Sequence, residues 1–171
     1  MFIFGTMLRY MGRVTRLPPF VVSGAATLAD AFDRAFGEDA LRRAHGDSLQ
    51  VSSWSACERV YGFEIDVHAV PAEVRRVFCG DRLRITCRQR VNATPERITV
   101  RDRLRMHFVG RELFVVRPRF SLACAPDGVL LTAEVEQHAL LPPPLCNIVE
   151  AFMDASSRSQ LERFRAALVT T

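Results

Sequence analysis

The chain has 171 residues, 49% of them apolar, and a formal net charge of +4, which suits a single domain with a substantial core. All 23 basic residues are arginine, so Schiff-base lysines, phosphate-loop lysines and Ser–Lys dyads are excluded together with the enzyme classes built on them. The five cysteines, Cys57, Cys79, Cys87, Cys124 and Cys146, are scattered without C-x-x-C spacing, which argues against a disulfide framework or structural zinc and for reduced thiols in the cytosol.

In chain order, the apolar start at Met1-Phe2-Ile3-Phe4 has no basic segment before it and is too short to span a bilayer. Neither a cleaved signal nor a membrane anchor is expected, and residues 1–16 read as a tail, disordered or touching a membrane. Leu17-Pro18-Pro19 reads as a linker into a short strand over 20–23. Thr27 is placed to cap a helix over 28–36 that ends at Gly37, and a second short helix runs over about 38–44 before His45-Gly46-Asp47 breaks it.

From there the apolar period changes from 3.6 to 2. Tyr61, Phe63, Ile65 and Val67 share one face of a strand read over 54–67. Leu83, Ile85, Cys87, Gln89 and Val91 share a face of the next, against Arg84, Thr86, Arg88 and Arg90. Ile98, Val100, Asp102, Leu104 and Met106 then alternate with Arg101, Arg103 and Arg105. Phe114, Val116, Phe120 and Leu122 oppose Arg117 and Arg119, and after the turn at Pro126-Asp127-Gly128, Leu131, Ala133, Val135 and Gln137 oppose Glu134, Glu136 and His138. Pro142-Pro143-Pro144 ends the strands, and a long amphipathic helix follows over 145–168.

A sheet with one polar face must bury the other, and only the last helix is long enough to cover it. The fold class expected is α+β: a strongly curved antiparallel sheet of six to seven strands gripping a long C-terminal helix, with two short helices near the N-terminus, as one domain over 17–171. On the final helix Leu145, Ile148, Val149 and Phe152 share a face that the small residues Ala155, Ser156 and Ser159 continue, before Leu161, Phe164 and Leu168. The small residues either leave room for a ligand or mark a close backbone approach.

This order, read with particular residues, resembles the START-like (helix-grip) superfamily and within it the VASt group of sterol-transfer domains. The likeness rests on Trp54 with Arg59 and Tyr61, on Pro71, on Thr86-Cys87-Arg88-Gln89, on Val100-x-Asp102 and on Val109 to Phe114. Leu145-x-x-Ile148-Val149-x-x-Phe152 and Ser159-x-Leu161-Glu162-x-Phe164 on the last helix add to it. It spans about residues 20–168, although the membrane-docking domain and transmembrane anchor usual beside VASt domains do not accompany it here. What it implies is a hydrophobic ligand, a sterol or other lipid, bound and transferred without catalysis.

On that reading the ligand-binding residues are Trp54, Tyr61, Phe63, Gln89, Asp102, Leu104, Phe120, Gln137, Val149, Phe152 and Ser156. Asp102, Gln89 and Gln137 stand out as polar groups in the inward register. A buried carboxylate is costly unless hydrogen-bonded, so Asp102 receives either a ligand hydroxyl or a structural partner such as Arg59 or the Trp54 indole. The outward arginines Arg88, Arg90, Arg101, Arg103, Arg105, Arg117 and Arg119 suit an anionic membrane surface. A solvated face with cross-strand pairing to Glu64, Asp66, Glu134 and Glu136, on arginine-favouring codon usage, is the simpler account of them. Nucleic acid is not expected, because the aromatics face inward.

No catalytic motif, metal site or cofactor is read from the chain, and nothing in it sets an oligomeric state. Two other functions stay open: a cyclase or hydratase of the same superfamily acting on a polyketide or aromatic substrate around Asp102, and a cavity-less interaction module working through the arginine face. A cytoplasmic protein, at most peripheral at membranes, is the expected location.

Overall fold

A computed structural model describes residues 9–66, 72, 82–108, 111–141 and 143–169. Strand β1 (Arg9–Val21) leads into helices α1 (Leu28–Phe36) and α2 (Glu38–His45), and a 3-10 turn, Gly46–Ser48, follows. Six strands come next: β2 (Gln50–Trp54), β3 (Glu58–Asp66), β4 (Arg82–Ala93), β5 (Arg97–Phe108), β6 (Arg111–Ala125) and β7 (Gly128–Leu141). Helix α3 (Pro143–Val169) closes the described chain.

The seven strands form one antiparallel sheet in the order β1-β7-β6-β5-β4-β3-β2. Strands β2 to β7 are a meander, and β1 joins it at the far edge by pairing with β7. The connection from β1 to β2 therefore crosses the whole sheet, and α1 and α2 make that crossing. The α+β expectation is met, with seven antiparallel strands, two N-terminal helices and a C-terminal helix.

Local chemistry explains the helix starts and turns. Thr27 accepts from Asp30 N–H at 3.1 Å while the Asp30 carboxylate accepts from Thr27 N–H at 3.2 Å, a reciprocal cap that starts α1. Gly37 ends α1 and begins α2 at once, and a Cβ there would lie 2.4 Å from the Asp33 carbonyl oxygen. Pro126 and Asp127 turn β6 into β7, with Gly128 at φ 129°.

The apolar side of the sheet packs into two clusters. Phe20, Val22, Val100, Leu122 and Leu131 meet Leu28, Ala31 and Phe36 of α1 and Leu161 and Leu168 of α3. Phe36, Phe120 and Phe164 tilt against one another with ring centroids 4.9 to 5.7 Å apart. The second cluster lies under α2, where Leu41 covers Tyr61, Phe63, Ile85 and Cys87. α3 lies against β1 and β7; Ser23 donates through N–H to Leu168 O at 3.0 Å and through Oγ to Val169 O at 2.9 Å, which ties down its last turn.

Four expectations are corrected. Residues 9–16 are not a tail: they are the first half of β1, paired from Arg9–Leu141 to Arg16–Glu134. Its inward positions Arg13 and Thr15 are polar, which hides the alternation. Pro18 and Pro19 are not a linker but sit at a bulge between Leu17 and Phe20, where missing N–H groups interrupt the ladder. The strand read over 54–67 is two strands, because Ser55 Oγ accepts from Glu58 N–H at 3.0 Å and donates to Glu58 O at 2.8 Å, making a turn at 55–57. On α3, Ala155 and Ser159 are exposed and Ser157 is buried; Ser157, Leu161, Phe164 and Leu168 are the stripe that faces the sheet.

Candidate functional site

The concave face carries a polar row that the strand register creates. Arg59 on β3 stands opposite Gln89 on β4, and Gln89 stands opposite Asp102 on β5. Arg59 is 5% exposed and its guanidinium lies 4.1 Å from the Trp54 ring centroid and 4.8 Å from that of Phe32. It donates through Nη1 to Phe36 O at 2.5 Å and to Gln89 Oε1 at 3.2 Å. That bond turns the Gln89 amide nitrogen toward Asp102, although neither Gln89 Nε2 nor Asp102 Oδ1 completes a hydrogen bond.

Burial pushes the Asp102 carboxyl up to about 7, against the opposing pull of the Gln89 amide and the Arg59 charge. Two further groups lie close. Tyr61 and Cys87 face each other across β3 and β4 and share a hydrogen bond. Burial raises both the phenol and the thiol well above their ordinary values, with the Asp102 charge adding to it. Both stay protonated at neutral pH, and Cys87 offers no thiolate.

On β7, Gln137 is 5% exposed and donates through Nε2 to Ser157 Oγ of α3. Its Oε1 has no partner. Among the described residues, Arg59 Nε, Gln89 Nε2, Asp102 Oδ1 and Gln137 Oε1 are thus buried polar atoms left unsatisfied, all in the inward register. Such atoms are uncommon and costly in folded proteins. Nearby, Arg13 on β1 reaches Asp154 of α3 at 3.1 Å.

Burial varies along the concave face. Ile98 and Val100 at one end of β5, and Leu122 on β6, are buried. Asp102, Leu104 and Met106 further along β5, with Val116, Pro118 and Phe120 on β6, keep part of their surface. An apolar patch with a carboxyl at its margin therefore keeps partial exposure in the middle of the sheet.

The expected ligand-binding residues divide accordingly. Gln89, Asp102, Leu104, Phe120 and Gln137 all face the concave side, with Phe120 also held between Phe36 and Phe164. Tyr61 and Phe63 are buried under α2, where Phe63 stacks on His45 at 3.8 Å. Trp54 lies on the edge strand, 37% exposed, as a lid on Arg59. The side chains of Val149, Phe152 and Ser156 are outside the described residues, as is Cys79. Ser157 and His45 were not foreseen as site residues, and Arg59 was foreseen as a partner for Asp102 and beside Trp54 in the family resemblance, but not as the donor to Phe36 O and Gln89.

The convex face carries the arginines. Glu58 accepts from Arg88 at 2.6 Å and from Arg90 at 3.4 Å, and the Arg88 bond holds its carboxyl below the usual range. Glu136 takes Arg119 at 3.0 Å, and Glu134 takes Arg16 at 2.7 Å and Arg119 at 3.8 Å. The His138 bond, with Arg119 and Arg117 nearby, lowers the Glu136 carboxyl. Arg103 and Arg105 have interactions of their own. Arg101 makes no ion pair among the described residues, and neither does Arg97. Glu134 and Glu136 pair as expected, while Glu58 was not foreseen.

Among the described residues no three His, Cys, Asp or Glu side chains cluster as a metal site, and no helix is long and apolar enough to cross a membrane. The fold and these two faces define an α+β domain: a seven-stranded antiparallel sheet, polar and arginine-rich outside, packed inside against helices. No family model matches the chain, and no curated protein matches it.

Solved structures do resemble it. An uncharacterized protein of Rhizobium leguminosarum is 10% identical, with a TM-score of 0.50 over 94% of this chain and 97% of that one. A conserved protein of Geobacillus kaustophilus is 9% identical, with a TM-score of 0.53 over 92% and 90%. A protein of Rhizobium loti is 15% identical, with a TM-score of 0.53 over 94% and 99%. At these identities the likeness is one of fold.

Proposed function

We propose that the domain binds a hydrophobic small molecule, a sterol or other lipid, between the concave sheet face and α3, and exchanges it with anionic membranes touched by the arginine face. One observation carries the reading. Partly exposed apolar residues, Leu104, Met106, Val116 and Phe120, share the concave face with unsatisfied polar atoms of Gln89, Asp102 and Gln137. Apolar walls with a few fixed polar groups are the composition of a lipid-sized site. Burial of an apolar ligand returns about 25 cal/mol per Å² removed from water, so binding needs no covalent step. Helix-grip membership and the likeness to VASt domains belong to the same proposal, supported by the strand order and by the two helices that bridge opposite sheet edges.

Native mass spectrometry of protein purified from lipid-containing cells tests it. A lipid-mass adduct is expected, lost in Leu104→Trp, whose bulk fills the patch. Protein that carries no adduct and also fails to take up a fluorescent sterol overturns the reading.

A second reading, a cyclase or hydratase on a polyketide or aromatic substrate, is favoured by Asp102, whose carboxyl titrates near neutral pH and so suits proton transfer. Asp102→Asn separates the two: lipid binding stays nearly intact for a carrier, and turnover is abolished for an enzyme.

A further inference from the structure

Six side chains on the convex face stand opposite one another in one row across six strands: Glu58, Arg90, Arg101, Arg119, Glu134 and Arg16. Its ends are neutralised, since Glu58 holds Arg90 and Glu134 holds Arg16 and Arg119. Its middle is not. Arg101 is exposed, has a guanidinium group on either side, and makes no ion pair among the described residues. The charges of Arg90 and Arg119 are met by Glu58, Glu134 and Glu136, so the uncompensated charge in the row is that of Arg101, and it favours an anion.

The adjacent row is Asn92, Thr99, Ser121 and Thr132. Its hydroxyls make only long bonds, Thr99 Oγ1 to Asn92 O and Thr132 Oγ1 to Ser121 O, both at 3.5 Å. Beyond it on β5 stands Arg97, also exposed and without an ion pair. A line of hydroxyls thus runs between two uncompensated arginines. These residues line a trough of about 470 Å³, walled by Arg16, Arg97, Arg101 and Arg119. Glu134 lines it too, with its carboxylate engaged by Arg16 and Arg119.

Guanidinium forks take phosphate oxygens in pairs, and hydroxyl donors complete the set. We infer that this trough is a lipid-headgroup site, receiving a phosphate monoester at a bilayer surface through Arg97 and Arg101, with Thr99 and Ser121 beneath. The inference rests on the reading that the arginine face meets anionic membranes, and it adds to diffuse attraction a defined site of defined chemistry. The arginine fork is part of it, so charge alone is not sufficient.

The test uses the full chain and phosphatidylcholine vesicles containing either phosphatidic acid, a monoester, or phosphatidylserine, mixed to equal surface potential. Tighter binding to the phosphatidic acid vesicles is expected, by about tenfold, the scale of one charge-assisted hydrogen bond. Arg97→Gln with Arg101→Gln removes that preference, and Arg101→Lys weakens it. Arg84→Gln with Arg105→Gln, on the same face outside the trough, lowers binding to both vesicles alike. Equal binding of the wild type to both vesicles, or a preference that survives the Arg97/Arg101 pair, overturns the headgroup site and leaves membrane contact standing. Failure to bind either vesicle overturns both. Micromolar binding of soluble glycerol 3-phosphate reassigns the trough to a free phosphate ligand, and Arg101-dependent binding of RNA tighter than of vesicles reassigns it to nucleic acid; either result overturns the proposal.

Discussion

Asp102→Asn should stabilise the ligand-free protein, and by an amount that depends on pH. The Asp102 carboxyl is raised by burial from 3.8 to about 7, because its sealed Oδ1 has no donor and Arg59 directs its hydrogen bonds to Phe36 O and Gln89 instead. The folded state therefore holds the proton more tightly than the unfolded chain does. Stability from Asp102 is fully present below the unfolded value near 4 and is lost as pH rises through about 7. A shift of about three pH units at 1.36 kcal/mol each sets the full loss at ~4 kcal/mol. Asparagine has the same shape and does not titrate. In urea denaturation, the stability gap between variant and wild type should widen by ~3 kcal/mol from about pH 4.5 to about pH 8. A gap that stays constant over this range would refute the reasoning, since it would mean that Asp102 is already ionised and satisfied in the fold.

His45 titrates with the opposite sign. Burial lowers its pKa, so its contribution is present above the unfolded value near 6.5 and lost as pH falls; His45→Phe, which keeps a ring on Phe63, should reduce the fall in Tm between about pH 7.5 and pH 5. Gly37→Ala drives a Cβ to 2.4 Å from Asp33 O, and should cost about 1–3 kcal/mol in thermal or urea unfolding. Arg59→Met keeps bulk beneath Trp54 but deprives Phe36 O and Gln89 Oε1 of their donor, for a loss of about 3 kcal/mol. Trp54 is the only tryptophan of the chain, so its fluorescence should change in the same variant; an unchanged spectrum would mean that the guanidinium is not seated on the ring.

Much of the fold was legible because its signals are local. The alternation in β4, β5 and β7 placed Ile85, Cys87, Gln89, Val100, Leu131 and Gln137 on the inward face, and all are buried. The Thr27 cap and the Pro126-Asp127 turn depend on neighbours a few residues apart. β1 escaped notice because its inward positions are Arg13 and Thr15 and its partner strand is more than a hundred residues away in sequence. The phase of α3 escaped for a related reason: small residues lie all around 155–159, and only docking against the sheet selects Ser157 over Ala155 and Ser159.

The two sites divide along the same line. Gln89, Asp102 and Gln137 could be picked out as polar side chains in an inward register, and the arginines as an outward set, because a strand turns successive side chains to opposite faces. Which of them stand opposite one another depends on how six strands are registered, and register is a property of pairs of strands. That is why only the tertiary structure joins Arg59 to Gln89, leaves Asp102 Oδ1 without a donor, neutralises Arg90 and Arg119 from the ends of their row, and leaves Arg101 in the middle without a carboxylate among the described residues. The chain by itself determined what each face is made of. The pairing of its strands decided which of those groups is left wanting a partner.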